Sequence, residues 1–235
     1  MPAFRQNSEQ HHSIPVKDLL KSVDSKKTGI GIFLLWLFHI SGLIGIAAGA
    51  EAWFIPKTPL NLVLTSLIFF WIFPLDSTRK IGYTVFVIVL GMGAEWIGVH
   101  TGYLFGSYSY GANLVPKLDG IPYLIGVNWA ILSLASGSLS NQWKAPKPVR
   151  ITIGALIMVG LDYFIEKVAP VMDLWSFQGG EPPLWNYICW FALALFFQWV
   201  YQRSSISGNR TISLHLLLVQ LVFFIFLNIL IPAMP

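Results

Sequence analysis

The sequence predicts an all-α fold: a polytopic membrane helix bundle of about seven transmembrane helices, with a cytoplasmic N-terminus. Three observations carry that prediction. Hydrophobic residues make up 55% of the 235 residues and charged residues only 11%, against about 25% charged in an ordinary soluble domain, so a water-facing surface cannot be assembled. Apolar runs recur at 30–50, 60–73, 81–99, 121–139, 151–165, 184–201 and 214–231, most of them near the roughly 17–25 residues that cross a hydrocarbon core. With the N-terminus inside, twelve of the fifteen Lys and Arg fall in cytoplasmic segments and only Lys57, Lys117 and Lys167 outside, the asymmetry of the positive-inside rule.

Residues 1–29 read as a polar cytoplasmic tail, with His11 and His12 as part of its polarity, and residues 30–235 as the seven-span domain. Ala48-Gly49-Ala50 imitates a small-residue cleavage site, but the run before it, about 20 residues, is too long for a signal h-region, so the first span is expected to be retained. The second and fifth runs are short, which leaves six spans and one re-entrant segment as the alternative; the charge pattern favours seven. The third run carries Glu95 and ends at His100, the fourth carries Asn128, and the fifth carries Asp162 and Glu166. The sixth is opened by Asn186 and contains Cys189, the single cysteine, so no intrachain disulfide or paired-thiol metal site can form. His39 in the first run and His215 in the seventh stand alone and read as structural.

The net charge of +4 reflects topology and headgroup contact, and no basic cluster suggests nucleic acid as a partner. The acidic residues sort by side. Glu9, Asp18, Asp24 and Asp76 fall inside, whereas Glu51, Glu95, Asp119, Asp162, Glu166, Asp173 and Glu181 fall in the outer leaflet or beyond. Glu95 and Asp162 lie at similar depth within the outer half, where ionisable residues are costly and usually functional. Asp162 and Glu166 are spaced i, i+4, on one helical face. The bland alternatives are an interfacial Glu95 bonded to a neighbouring helix and a Glu166 neutralised by Lys167. His100, Asn128 and Asn186 reach the same level and are expected to share one wet pocket, although Asn128 alone would suit an interhelical hydrogen bond.

Residues 101–113 form a Gly-punctuated aromatic stretch that includes Tyr103 and Tyr108, and Trp96, Trp129, Trp175, Trp185, Tyr187 and Trp190 add rings at the same level. They suit either an interfacial belt or a lid over an apolar ligand. A buried pocket with rings and two or more carboxyls suits acid/base chemistry on a lipid-dissolved substrate. Desolvation lets one carboxyl of a pair stay a proton donor while its partner acts as a base. Protonation of an alkene would develop a carbocation that facing π systems stabilise. There is no Gly-rich phosphate cradle, no histidine pair at helical spacing for a metal and no Gly-x-Ser-x-Gly elbow, so nucleotide, zinc and acyl-enzyme mechanisms are unsupported. The last span has no lysine for a retinal Schiff base, and one acidic motif is too few for metal-dependent prenyltransfer.

The run Gly93-Ala94-Glu95-Trp96-Ile97-Gly98-Val99-His100-Thr101-Gly102, then Phe105-Gly106-Ser107-Tyr108-Ser109-Tyr110, then Ile125-Gly126-Val127-Asn128-Trp129, resembles the carotenoid biosynthesis membrane-protein family that includes carotenoid 1,2-hydratases and bisanhydrobacterioruberin hydratase. Asp162-Tyr163-Phe164-Ile165-Glu166 with Trp175, Pro183, Asn186 and Tyr187 resembles its second half. The resemblance implies cofactor-free, metal-free addition of water across the terminal C1=C2 bond of an acyclic carotenoid ψ-end. It also implies a bacterial or archaeal membrane location, with membrane lipid, the carotenoid and other carotenoid-pathway membrane enzymes as expected partners. Depth and spacing then suggest Glu95 as proton donor or its close partner, Asp162 and Glu166 as further acid/base groups, and Asn128 with His100 as water-positioning residues. Trp96, Tyr103, Tyr108, Trp129, Asn186 and Tyr187 are expected to bind substrate. A lycopene cyclase using the same protonation and a carotenoid or lipid carrier are the alternatives.

Overall fold

The computed structural model describes residues 16–230, with side chains described from residue 24 onward. Most of the polar tail, with His11 and His12, lies outside the described residues. Seven helices are long and apolar enough to cross a membrane. Helix α1 (Val16–Ala47) starts inside the polar tail and carries the first span from Asp24. A short helix α2 (Glu51–Phe54) and a single 3-10 turn (Ile55–Lys57) run into α3 (Thr58–Ile72). Pro56 and Pro59 stand at the first positions of these segments, where a missing N–H costs nothing, so the short second run becomes a 22-residue span. The fifth run lengthens too: α6 (Lys147–Val168) takes in polar residues at both ends.

The remaining elements are α4 (Thr78–Thr101), β1 (Tyr108–Tyr110), β2 (Lys117–Leu118), β3 (Ile121–Pro122), α5 (Tyr123–Ser140), β4 (Trp175–Phe177), α7 (Leu184–Arg203) and α8 (Arg210–Leu230). Helix α5 is the most buried span, contacting α3, α4, α6, α7 and α8. Its sequence explains this placement: Gly126, Ala130, Ser133, Ala135, Ser136 and Gly137 are the small residues that let membrane helices approach closely. Helix α1 sits at the periphery against α3 and α8, tied to α8 where Trp36 Nε1 donates to His215 Nδ1 over 3.1 Å. Phe33, Ile44, Leu67, Val89, Leu156 and Ile229 point outward, an apolar girdle suited to lipid.

One end of the bundle carries more structure than the other. There β1 pairs antiparallel with β4, Tyr108 opposite Phe177 and Tyr110 opposite Trp175, and β2 pairs with β3. The C-terminal ends of α4 and α6 and the N-terminal ends of α5 and α7 meet under this ribbon, so polar groups one or two turns inside those helices converge.

Candidate functional site

Gly91, Glu95 and Gly98 lie about one turn apart on one face of α4. A Cβ at Gly91 would stand 3.2 Å from the Trp129 ring, and one at Gly98 only 2.9 Å from the Tyr108 hydroxyl. Without those side chains, three donors reach the Glu95 carboxylate, which is 3% exposed. Trp129 Nε1 donates to Oε1 over 3.0 Å, Tyr110 Oη donates to Oε2 over 2.8 Å, and Tyr108 Oη donates to the same Oε2. Successive odd positions of a strand share a face, so Tyr108 and Tyr110 on β1 arrive together. Both phenols are pushed above their ordinary value, first by burial and next by the negative charge of Glu95, and they remain donors.

Glu166 is held likewise, by Trp175 Nε1 at Oε2 and by Asn186 Nδ2 at Oε1, each over 2.7 Å. Lys167 does not neutralise it; its Nζ lies 4.5 Å over the Tyr163 ring. Asp162, one turn before Glu166 on the same face, differs from both. It is 4% exposed, and its Oδ2 has no hydrogen-bond partner. The three carboxyl groups line one chamber of about 40 Å3 with Asn128, Trp129, Trp175 and Trp190, and no Lys, Arg or His is among the lining residues described. Trp129 and Trp190 stack 3.5 Å apart in this wall, and Phe105, held in the left-handed region at φ 65°, closes it with Tyr108. That backbone conformation costs about 1–2 kcal/mol in a residue with a Cβ, and the buried ring contacts to Tyr108 and Trp190 offset it.

A second cavity, of about 420 Å3 and mostly apolar, adjoins the chamber: Ile125, Asn128, Ile165 and Trp175 line both. Its other walls come from α1, α3 and α8, and the exposed lining residues Ser41, Trp53, Lys57 and Leu60 mark its mouth between α1 and α3. The three carboxyl residues line only the small chamber, which the four shared residues separate from this cavity. Among the described residues no three His, Cys, Asp or Glu are grouped to hold a metal ion.

The profile of the family described as carotenoid biosynthesis protein matches residues 58–234. The chain belongs to the carotenoid biosynthesis protein family. No curated protein and no solved structure matches it. The carotenoid biosynthesis match takes in all three carboxyls, the ribbon and helices α3 to α8.

Within this carotenoid biosynthesis protein, Glu95, Asp162, Glu166, Asn128, Tyr108, Trp129 and Asn186 line one chamber. The other residues expected at the site lie elsewhere. At 100° per residue, Trp96 and His100 are rotated off the Glu95 face of α4. Trp96 Nε1 donates to Asp119 Oδ2 over 2.7 Å, His100 Nε2 stands 3.3 Å from the same carboxylate, and the two rings stack. Tyr103 is 78% exposed, its carbonyl accepting from Trp185 Nε1. Tyr187 packs on Tyr163 at the flank of α6 and α7. Tyr110, Phe105 and Phe177 line the chamber too, as do Trp175 and Trp190, which the sequence places at this level without marking them as site residues. The signal for Tyr110 was its i, i+2 relation to Tyr108; Trp175 required the β1–β4 pairing.

Proposed function

We propose that this chain adds water across the terminal C1=C2 bond of an acyclic carotenoid ψ-end, giving a tertiary alcohol at C1. The observation that carries this reading is the contrast among the carboxyls. A carboxylate met by donors at both oxygens is stabilised as the anion, whereas one with no donor is the better source of a proton. Asp162 therefore takes the role of acid, and Glu95 and Glu166 those of donor-held bases. The chain lies in the large cavity with its isopropylidene end at the boundary formed by Ile125, Asn128, Ile165 and Trp175. Asp162 transfers a proton to C2, the C1=C2 π pair forms the new C–H bond, and a tertiary cation remains at C1. The rings of Trp129, Trp175 and Trp190 line the space beside that charge, and their π systems stabilise it.

The chamber's volume suits water and not a carotenoid. Water held there by Asn128 and a carboxylate adds to C1, its proton passes to Glu166 or Glu95, and transfer along the carboxyls restores Asp162. Substrate plus one water equals product, and nothing is oxidised or reduced. Room for water beside the cation favours hydration over ring closure.

The test is expression in cells that accumulate lycopene or γ-carotene, with the pigments read by mass spectrometry. Gain of one water is the expected result. An isomeric product would assign a cyclase, and unchanged pigment would overturn both enzymatic readings in favour of a carrier.

A further inference from the structure

Besides the polar residues at its mouth and Asn128 at the chamber, the mostly apolar large cavity has a polar group of its own, distinct from the three carboxyls. His39 on α1, Asn61 on α3 and Gln220 on α8 all line it. His39 Nδ1 lies 2.8 Å from the Leu35 carbonyl, which only accepts, so Nδ1 carries the proton and Nε2 presents a lone pair. Asn61 Nδ2 turns toward that lone pair at 3.5 Å. The Asn61 amide is thereby oriented, and its Oδ1 is left buried without a partner. Gln220 is 5% exposed, and its Oε1 also lacks a partner. Two acceptors without donors inside an apolar cavity are expensive, about 1–3 kcal/mol for each buried group left unmatched. Buried polar atoms in native proteins are otherwise nearly always paired.

We propose that His39, Asn61 and Gln220 form a second subsite, one that accepts a hydrogen bond from a hydroxyl carried by the isoprenoid chain in the cavity. The ligand class is an alcohol on an apolar chain. A hydrocarbon leaves both oxygens unmatched, an ether or ester offers them no donor, and a carboxylate or phosphate sets negative charge against them. His39 orients the acceptor, Phe223 packs edge-on against its ring at 5.8 Å, and the chain runs past Phe223 toward Asn128. The helix that supplies His39 lies outside residues 58–234, the part matched to the family. The proposal rests on reading this cavity as the channel for the substrate chain, and it adds a preference for a chain that already bears a hydroxyl away from the reacting alkene. Such a chain is then taken in preference to the hydrocarbon.

The test uses the full chain in phosphatidylcholine nanodiscs, with geraniol, farnesol and geranylgeraniol each compared with its own methyl ether. Each alcohol and ether pair shares the isopropylidene end and differs in the donor. Binding is read from the shift in unfolding midpoint against each protein's own unliganded value, so a general loss of stability in a variant cancels. For at least one chain length the alcohol should bind about tenfold tighter than the ether, and Asn61→Leu and the nearly isosteric Gln220→Met should remove the difference. Equal binding of alcohol and ether at every length, or a preference that survives both substitutions, overturns the subsite. Binding needs no turnover, which separates this proposal from the hydratase reading. An alcohol preference without hydrated pigment in cells sinks the hydratase and leaves the subsite, and hydrated pigment without the preference does the reverse.

Discussion

Asp162 and Glu95 are both buried acids in one chamber, yet their surroundings predict different consequences for the same kind of substitution. Asp162 Oδ2 meets no donor, so Asp162→Asn removes the proton source and little binding of the fold to itself. Hydration is expected to fall by about 10²–10⁴, the usual contribution of a general acid, with the unfolding midpoint close to that of the unsubstituted protein. Glu95 accepts from Tyr108, Tyr110 and Trp129. An amide in its place sets its N–H either against the Trp129 N–H or toward the two phenols, which must then give up donating there, so Glu95→Gln should lose activity and also about 1–3 kcal/mol of stability. Product yield by mass spectrometry beside thermal unfolding separates the two, and a stability loss as large at Asp162 as at Glu95 would refute the assignment. Two glycines on opposite faces of α4 give a finer probe. Gly98→Ala sets a Cβ 2.9 Å from the Tyr108 hydroxyl, whereas Gly93→Ala meets nothing within 4 Å. Overpacking of this kind costs about 1–3 kcal/mol, and only the Gly98 variant should lower hydration.

At the scale of elements, the ribbon of β1 and β4 is what closes the chamber, and its tyrosines give it a pH signature. Tyr108 and Tyr110 are held above the ordinary phenol range by burial and by Glu95, while the unfolded chain ionises its tyrosines near pH 10. Above about pH 10 the unfolded state therefore binds fewer protons than the folded one, and stability declines as pH rises. Tyr110→Phe should flatten that decline in alkaline unfolding curves, and an unchanged slope would remove Tyr110 from the account. The ribbon also shows where sequence patterns stop. Glu95, Asn128, Asp162 and Glu166 are legible as a site because each interrupts an apolar helix at a similar depth, and helical period puts Asp162 and Glu166 on one face. The meeting of Tyr110 with Trp175 is not, because their pairing joins two loops with α5 and α6 between them. His39 reads as isolated for the same reason: Asn61 and Gln220, which line the cavity with it, come from different helices. Trp96 and His100 have the right depth and the wrong rotation, which depth alone does not register.

For the whole molecule, the asymmetry of basic residues in the sequence predicts an orientation. The end bearing the ribbon and the three carboxyls is the one flanked only by Lys57, Lys117 and Lys167, and the opposite loops carry Arg79, Lys80, Lys144, Lys147, Arg150, Arg203 and Arg210. The positive-inside rule predicts the ribbon on the non-cytoplasmic side, which would set the cavity mouth between α1 and α3 in that leaflet. The single cysteine makes this directly testable, since Cys189 is buried and contributes little background. Gly180 follows β4 in the ribbon loop, and Trp143 lies in the exposed turn between α5 and α6. Gly180 has open space around its Cα but sits at φ 80°, so its neighbour Gly179, with open space and no such restriction, is the better site for a probe. In intact cells an impermeant maleimide should label Gly179→Cys and leave Trp143→Cys unlabelled until the membrane is opened. The reverse pattern would turn the protein over, and the carotenoid end would then have to meet its water in the cytoplasmic leaflet.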